Sequence, residues 1–477
     1  RGGLRTGRVG GWNMPDAGIP SRIGDELRGG PIQNFYMKTG ASRRPTIARG
    51  EGIYLWDTSG RRYIDASSGP VTSNLGHANK RVIAAMMAQA ERIAFAYPSA
   101  FENEPNIELS DLITSLAGPG LERAFFTSGG SESTEAAIKL ARQYAVVTGA
   151  ASRYKVIGRD PGYHGGTLGA LAVTGDPHSE ALFGPGMRVM PKVPAPLTYR
   201  LPPNHTPESY ARACAAALEE TVLREGPESV LAFIMEPVGG LATGALVAPD
   251  AYYRAVREIC TRHGVLLIYD EVMSGAGRTG KFLAADHWPD ARPDLAILAK
   301  GIAAGYTPLG AVLAPRAMVE AVANAGGFAH GHTYTANPLS CAIGHAVVSE
   351  MMERDLIANA DRMGALLREG LNALKARSPI LGDVRGKGLL MAIEIVADKE
   401  TKTMLPLELM APYRLVELGM VLGIVLYARR TAQGKYGEWV MISPPLTVTE
   451  AEIEEILRLV GATLDAFAVE LRAAKAI

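Results

Sequence analysis

Gly264-Val265-Leu266-Leu267-Ile268-Tyr269-Asp270, and further along Leu295-Ala296-Ile297-Leu298-Ala299-Lys300, are two apolar runs that each end on a charged residue. Runs of this length, partly β-branched, read as strands buried on both faces of a sheet. In open α/β sheets, ligand chemistry gathers at the carboxyl ends of the strands, which is where Asp270 and Lys300 then stand. Lys300 sits between Ala299 and Gly301. A lone, partly desolvated lysine among small residues has the attributes of a Schiff-base lysine. A carboxylate one strand away can pair with the cationic ring nitrogen of the cofactor such a lysine carries. For an arbitrary Asp and Lys, a plain ion pair at the sheet edge is the commoner arrangement. The surrounding residues decide between the two.

The chain has 477 residues, 47% hydrophobic and 21% charged, which suits a soluble α/β protein with a large core and a smaller companion domain. Lys+Arg and Asp+Glu are both 49, so the net charge is zero. That argues against a nucleic-acid or membrane-surface partner recruited by bulk charge, and it leaves self-association easy. Cys214, Cys260 and Cys341 lie far apart. They fit a reducing, cytoplasmic setting and neither a disulfide framework nor a metal knuckle. No apolar stretch reaches the roughly 18–20 residues that span a bilayer. The first thirty residues are rich in Gly and Arg without an apolar core, so no secretory signal is expected there. They read as an arm that orders against a partner subunit.

Around the turn Thr58-Ser59-Gly60, the stretches Gly52–Asp57 and Arg62–Asp65 alternate apolar and polar residues, a β-hairpin pattern. From about 86 to 345, strand and helix patterns alternate. Ala124-Phe125-Phe126 precedes Ser128-Gly129-Gly130-Ser131, and a helix follows with Ala137, Ile138, Ala141, Tyr144 and Ala145 on one face. Val230–Met235 is a further strand ending at Glu236-Pro237, and a helix over 251–262 leads to the Asp270 strand. Such alternation predicts a mostly parallel sheet flanked by helices. Pro185 to Pro203 reads as a surface excursion. From 346 the pattern becomes one long helix, then short strands over 388–396 and 423–427; Trp439-Val440-Met441-Ile442 precedes Ser443-Pro444-Pro445, and a final helix runs from 449. Three regions result: an arm and part of a small domain (1–85), a large domain (86–345), and an α+β small domain (346–477).

Ser128-Gly129-Gly130-Ser131-Glu132, between a strand and a helix, is a place to hold a phosphate, since free N–H groups and the helix dipole point there. An ordinary capped turn accounts for it equally well in isolation. Gly275-Ala276-Gly277-Arg278-Thr279-Gly280 matches G-x-G-x-x-G but lies late in the chain, and Pro289 and Pro293 interrupt the next stretch of chain. A dinucleotide fingerprint opens a long helix in the first βαβ unit, so a nicotinamide oxidoreductase is not favoured. Tyr163-His164-Gly165 offers an aromatic ring that can stack on a flat cofactor, or simply cap a turn. His330 and His332 have no cluster of further ligands beside them in sequence, and no metal site is expected. There is no Gly-x-Ser-x-Gly elbow for a serine hydrolase.

Taken together, Gly76-His77, Thr127–Glu132, Tyr163-His164-Gly165, Glu236-Pro237, Asp270-Glu271-Val272, Gly277–Gly280, Lys300-Gly301, Gly331–Tyr334 and Asn337-Pro338 resemble the class III aminotransferases of fold type I. The resemblance runs from about residue 35 to near the end of the chain. It implies pyridoxal 5′-phosphate as cofactor, bound to Lys300, which then moves a proton between substrate Cα and the cofactor's C4′. It further implies that Asp270 holds the pyridine nitrogen protonated, and that Gly129, Gly130 and Ser131 cradle the phosphate. Tyr163 and Val272 would cover the two ring faces, with His164 in the same cofactor-binding set and Glu236 behind Asp270. Thr333 would reach the phosphate of a neighbouring subunit, so the active sites would be shared in a homodimer, or in a tetramer built from two dimers.

The departures from the resemblance bear on substrate. Many relatives acting on glutamate, ornithine or γ-aminobutyrate have a glutamate shortly after Glu-Pro that pairs with and switches an arginine. Here Val238 to Ala248 holds no carboxylate. The chain is therefore more similar to amine or ω-amino acid:pyruvate aminotransferases, in which a mobile arginine of the C-terminal domain binds a substrate carboxylate. Arg429 or Arg430 falls near that place, and Arg429 is the candidate. Val71 stands where some relatives carry a bulky aromatic, which widens the expected pocket. The expected reaction is ping-pong transamination from an amine or ω-amino acid to an oxo acid, with pyruvate the expected acceptor. A decarboxylase or aminomutase of the same fold, or a non-enzymatic cofactor-binding dimer, are the alternatives.

Overall fold

The computed structural model describes residues 44–477; the expected N-terminal arm lies outside them. β1 (Ile47–Glu51), β2 (Tyr54–Asp57) and β3 (Arg62–Asp65) form an antiparallel meander. The hairpin expected around Gly60 is present. Asp57 Oδ1 accepts from the Ser59 and Arg61 amides at 2.9 and 3.0 Å and so ties the turn, while Gly60 takes a left-handed φ of 85°.

The central sheet contains β4 (Arg123–Thr127), β5 (Lys155–Asp160), β6 (Lys192–Pro194), β7 (Val230–Met235), β8 (Leu266–Asp270), β9 (Leu295–Ala299) and β10 (Gly310–Ala314). Its order is β4-β10-β9-β8-β7-β5-β6, and only β10 runs antiparallel to its neighbours. Every residue of β7, β9 and β10 is buried. Successive side chains enter opposite layers, as the strand period of two requires. Ala232 and Ile234 of β7, Ile268 of β8, Ile297 of β9 and Val312 of β10 pack in one apolar cluster with Ala137, Leu140 and Ala141 of helix Gly130–Val147. Phe233, Leu267, Tyr269, Leu298 and Leu313 face the other cluster, with Tyr252, Tyr253 and Val256 of helix Asp250–His263. Burying each such large side chain contributes roughly 1.5–3 kcal/mol before chain entropy is subtracted.

Beyond the sheet, the helix expected as one unit from 346 is two helices, Pro338–Glu353 and Leu356–Arg377. The break is at Asp355, whose φ is 52°, within Glu353-Arg354-Asp355. No Gly or Pro marks it, which is why the pattern reads as continuous. β11 (Leu381–Lys387) and β12 (Leu390–Ile395) pair antiparallel, with β14 (Trp439–Ile442) on the other side of β12. The short β13 (Ile424–Val425) lies beside β3 in parallel, so one sheet joins strands from both ends of the described chain. β11 was not expected. Asp383, Arg385 and Lys387 interrupt its apolar pattern, and Arg385 is met by Glu394 across the strand pair at 2.6 Å, by the Gly244 carbonyl at 2.6 Å and by Asp383 at 3.1 Å. The last helix, Glu450–Ala473, opens with a capping box between Thr449 and Glu452. Among the described residues no helix is long and apolar enough to cross a membrane.

Candidate active site

Because β4, β5, β7, β8 and β9 all point the same way, Thr127, Asp160, Met235, Asp270 and Ala299 end at one edge of the sheet. The residues that come after them are the ones singled out in the sequence. After β4, Gly129 is extended and helix Gly130–Val147 begins with no side chain capping its first turn. Its first N–H groups are thus available to an anion. The Ser128 amide donates to Glu132 Oε2 at 2.8 Å, and Thr127 Oγ1 lies 2.7 Å from Ser133 Oγ. These bonds hold the turn open from behind.

The nest lies directly against the Asp270 and Lys300 strands. A Cβ on Gly130 would stand 3.1 Å from both methyls of Val272 and 3.7 Å from the Ala299 side chain. Ser131 Oγ accepts from the Gly166 amide at 3.0 Å, which draws the Tyr163 loop over the nest. Gly165 takes φ 144°, and a Cβ there would lie 2.7 Å from Ser131 Oγ, so only glycine fits.

Asp270 is 5% exposed, with both oxygens held. Oδ1 accepts from the Val272 amide at 3.0 Å, and Oδ2 lies 2.8 Å from His164 Nδ1. An ionised carboxylate only accepts, so His164 carries its proton on Nδ1. His164 is fixed in turn through its backbone: its amide donates to Thr174 Oγ1 at 2.9 Å and its carbonyl accepts from Thr134 Oγ1 at 2.7 Å. Its Nε2 is buried without a partner. Glu236 Oε1 accepts from the Gly240 amide at 3.0 Å, while its backbone carbonyl accepts from Arg159 at 2.7 Å. Burial raises the Glu236 carboxyl above its usual range, against the pull of His164 and Arg159, and the nearby Asp270 charge adds to the rise.

Lys300 follows β9 with a left-handed φ of 47°. It keeps partial exposure, yet protein atoms crowd it so closely that desolvation pushes its amine down to about 8. The Asp270 and Glu236 charges oppose that shift. Among the described residues the Lys300 amine makes no hydrogen bond and no ion pair; the ion-pair partner of Asp270 is His164. The Asp–Lys ion pair that the two residues alone suggested is therefore not formed. What stands at the strand ends is an unpaired, easily deprotonated amine, an anion nest and a clamped carboxylate. The class-III aminotransferase profile matches residues 36–464.

The chain belongs to the class-III aminotransferases. An aminotransferase of uncharacterised activity from Bacillus subtilis is 35% identical, over 91% of this chain and 97% of its own length. A diaminobutyrate–2-oxoglutarate transaminase of Halomonas elongata is 34% identical, covering 86% and 88%. Among solved structures, a thermostable (S)-enantioselective omega-transaminase from Thermomicrobium roseum superposes with TM-score 0.84 at 36% identity, covering 92% of this chain and 95% of that one. The omega transaminase of Pseudomonas jessenii in complex with PMP gives 0.83 at 31%, covering 89% and 92%. The protein has the fold of pyridoxal-phosphate-dependent transaminases, and its cofactor is pyridoxal 5′-phosphate. The residues present fit that group, since amine, nest and clamped carboxylate follow strands that end at one edge of the sheet.

At the rim of this aminotransferase site, Tyr163 is 38% exposed, and the Arg429 guanidinium sits 4.9 Å from its ring centroid. Arg430 is engaged elsewhere, with Nε 2.8 Å from Glu438 Oε1. Thr333 is exposed beside the exposed Tyr334. Val71 is 2% exposed in the main apolar cluster with φ 61°, so its side chain packs into protein. The second glycine cluster opens no long helix. Instead Arg278, 1% exposed, donates to Asn74 Oδ1 at 2.6 Å and to the Pro444 carbonyl, joining three distant segments. His164 as a clamp on Asp270, and Arg278 as a brace, were not seen in the sequence. Each partner lies far away along the chain, and no local pattern marks it.

Proposed function

We propose that this aminotransferase moves an amino group from an amine or ω-amino acid to an oxo acid, with pyruvate as acceptor, in a ping-pong cycle. The observation that carries it is the unpaired Lys300 amine, held at about 8 by burial and placed beside the nest. A neutral amine at that end of the sheet is ready to bond a carbonyl carbon and afterwards to take and return a proton. Bound pyridoxal phosphate supplies an electron sink for charge developing at the substrate Cα. Asp270, with both oxygens held, keeps a ring nitrogen protonated, and His164 fixes the direction in which Asp270 presents its charge. The first amides of helix Gly130–Val147, with Ser131, receive the phosphate. Val272 and Tyr163 bound the ring, and Glu236 backs the Asp270 side.

The ω-type donor is supported by two features. No carboxylate occurs between Val238 and Ala248, and the arginine near that loop, Arg385, is already bound by Glu394 at 2.6 Å and Asp383 at 3.1 Å. Arg429 makes no hydrogen bond among the described residues and stands over Tyr163, where it can take a substrate carboxylate. The solved omega-transaminases are similar throughout their length. A homodimer with Thr333 reaching the partner's phosphate is supported by the exposed Phe95 and Tyr334, whose rings meet edge-on at 6.1 Å, since exposed large apolar groups side by side mark an interface. A cytoplasmic setting is supported by three buried free cysteines.

The test is optical. Protein reconstituted with pyridoxal phosphate shows the visible band of the lysine-bound cofactor, and amine donors bleach it with release of ketone or aldehyde and no carbon dioxide. Pyruvate restores the band. A colourless protein after reconstitution overturns the reading, and carbon dioxide release assigns the site to decarboxylation.

A further inference from the structure

Arg429 and Arg430 are adjacent and held in opposite ways. The Arg430 side chain is 11% exposed and its Nε lies 2.8 Å from Glu438 Oε1, itself 1% exposed. That pair anchors the loop running from Ala428 to Glu438, whose base is closed by the bridge between Tyr427 and Met441. The Arg429 side chain is 44% exposed and makes no hydrogen bond among the described residues. Its one charged neighbour is Asp176, with Nη2 3.9 Å from Oδ2. Asp176 is stationary. Its Oδ1 accepts from the His178 amide at 3.3 Å and its Oδ2 from Ser179 Oγ at 2.8 Å, and its side chain is 9% exposed. The two loops are cross-tied on either side of the pair, by Tyr436 Oη donating to Asp160 Oδ2 at 2.9 Å and by Gln433 Nε2 at 3.0 Å from His178 Nδ1.

We propose that Asp176 is the resident counter-carboxylate of Arg429. It holds the guanidinium over Tyr163 while a carboxylate-free amine occupies the site, and it yields the guanidinium to the carboxylate of an oxo acid or ω-amino acid. The inference rests on the reading of Arg429 as the residue that takes a substrate carboxylate. At 3.9 Å, with no shared hydrogen bond, the resting pair is loose. A substrate carboxylate that meets the guanidinium bidentately makes shorter, charge-assisted bonds and displaces it. The arrangement lets one pocket serve two chemistries. An apolar donor does not have to lie against an unpaired cation, and an acidic partner finds the cation already at the rim. Asp176 acts through Arg429 and is a positioning residue.

Asp176→Asn removes the charge and keeps a good N-cap for the helix Pro177–Phe183; Asp176→Ser serves as a second cap-preserving variant. In the holoenzyme of either variant, the KM for pyruvate falls and the KM for a simple alkylamine rises, each by about two- to fivefold, with kcat unchanged. The Kd of propionate, an unreactive carboxylate followed by calorimetry, falls by the same factor. The difference from the parent protein shrinks at about 0.5 M salt. Arg429→Ala weakens propionate binding, and adding Asp176→Asn to it changes nothing further. If Arg429→Ala leaves propionate binding untouched, the carboxylate role of Arg429 fails. If Arg429→Ala weakens binding but neither Asp176 variant tightens it, or both KM values move together, the Asp176 inference alone fails.

Discussion

At the strand ends, His164, Asp270 and Glu236 are each no more than 5% exposed and bound through two or more hydrogen bonds, counting side chain and backbone. Nearer the surface, Tyr163 and Arg429 are 38% and 44% exposed and meet through a single cation–ring contact. The difference reflects the task of each region. Charge on a cofactor ring must be met by groups that do not reorganise at the moment of reaction, so the floor is clamped. Amino donors and oxo acids differ in shape and charge yet pass through one site in turn, so the rim must give way. Rigidity marks the shared chemistry, and slack marks the choice of substrate.

Breaking the floor should cost most. Lys300→Ala lowers transamination by about 10³-fold or more, measured as oxo-acid-dependent turnover, because attachment point and proton carrier go together. The fold survives, since the change relieves a desolvated amine. The same lysine sets a pH dependence. Only the neutral amine bonds a carbonyl, and burial has brought its pKa down to about 8. Capture of pyridoxal phosphate by the apoprotein therefore rises about tenfold per pH unit below that value and levels above it. A flat profile from pH 6 to 9 would show that the amine is not the titrating group. His164→Ala removes a charge-assisted bond from Asp270 and should lower kcat about 10- to 100-fold with little change in donor KM. A loss confined to KM would move His164 out of the floor.

The rim should respond least. Arg429→Ala raises the KM for pyruvate about fivefold while kcat with an alkylamine donor stays within about twofold. If that variant instead lost as much activity as His164→Ala, floor and rim would no longer be distinct regions.

Much of the floor was legible in the sequence. The apolar runs ending at Asp270 and Lys300 mark strands, and the glycines after Phe126 mark a turn into a helix; both signals are local. The small sheets were harder to read. β13 is two residues long and exists because β3 lies beside it, and Arg385 of β11 is met by Glu394 on the neighbouring strand and by the Gly244 carbonyl of a distant loop. The two glycine clusters make the same point at the site. Ser128–Glu132 opens a long helix, whereas Gly275–Gly280 threads Arg278 between distant segments, despite the better match to a nucleotide motif.

The sequence by itself determined that a lysine and a carboxylate end two buried strands, because short-range periodicity survives without neighbours, and the class of chemistry followed from the resemblance that the whole ordered set of motifs carries. Only the tertiary structure decided that Asp270 pairs with His164 rather than with Lys300, and that Arg429 rather than Arg430 faces Tyr163. Those choices depend on loops that meet across great lengths of chain, as Gln433 meets His178 over 255 positions. A side chain's partner is set there by which backbone reaches it first, and no local pattern of residues records that.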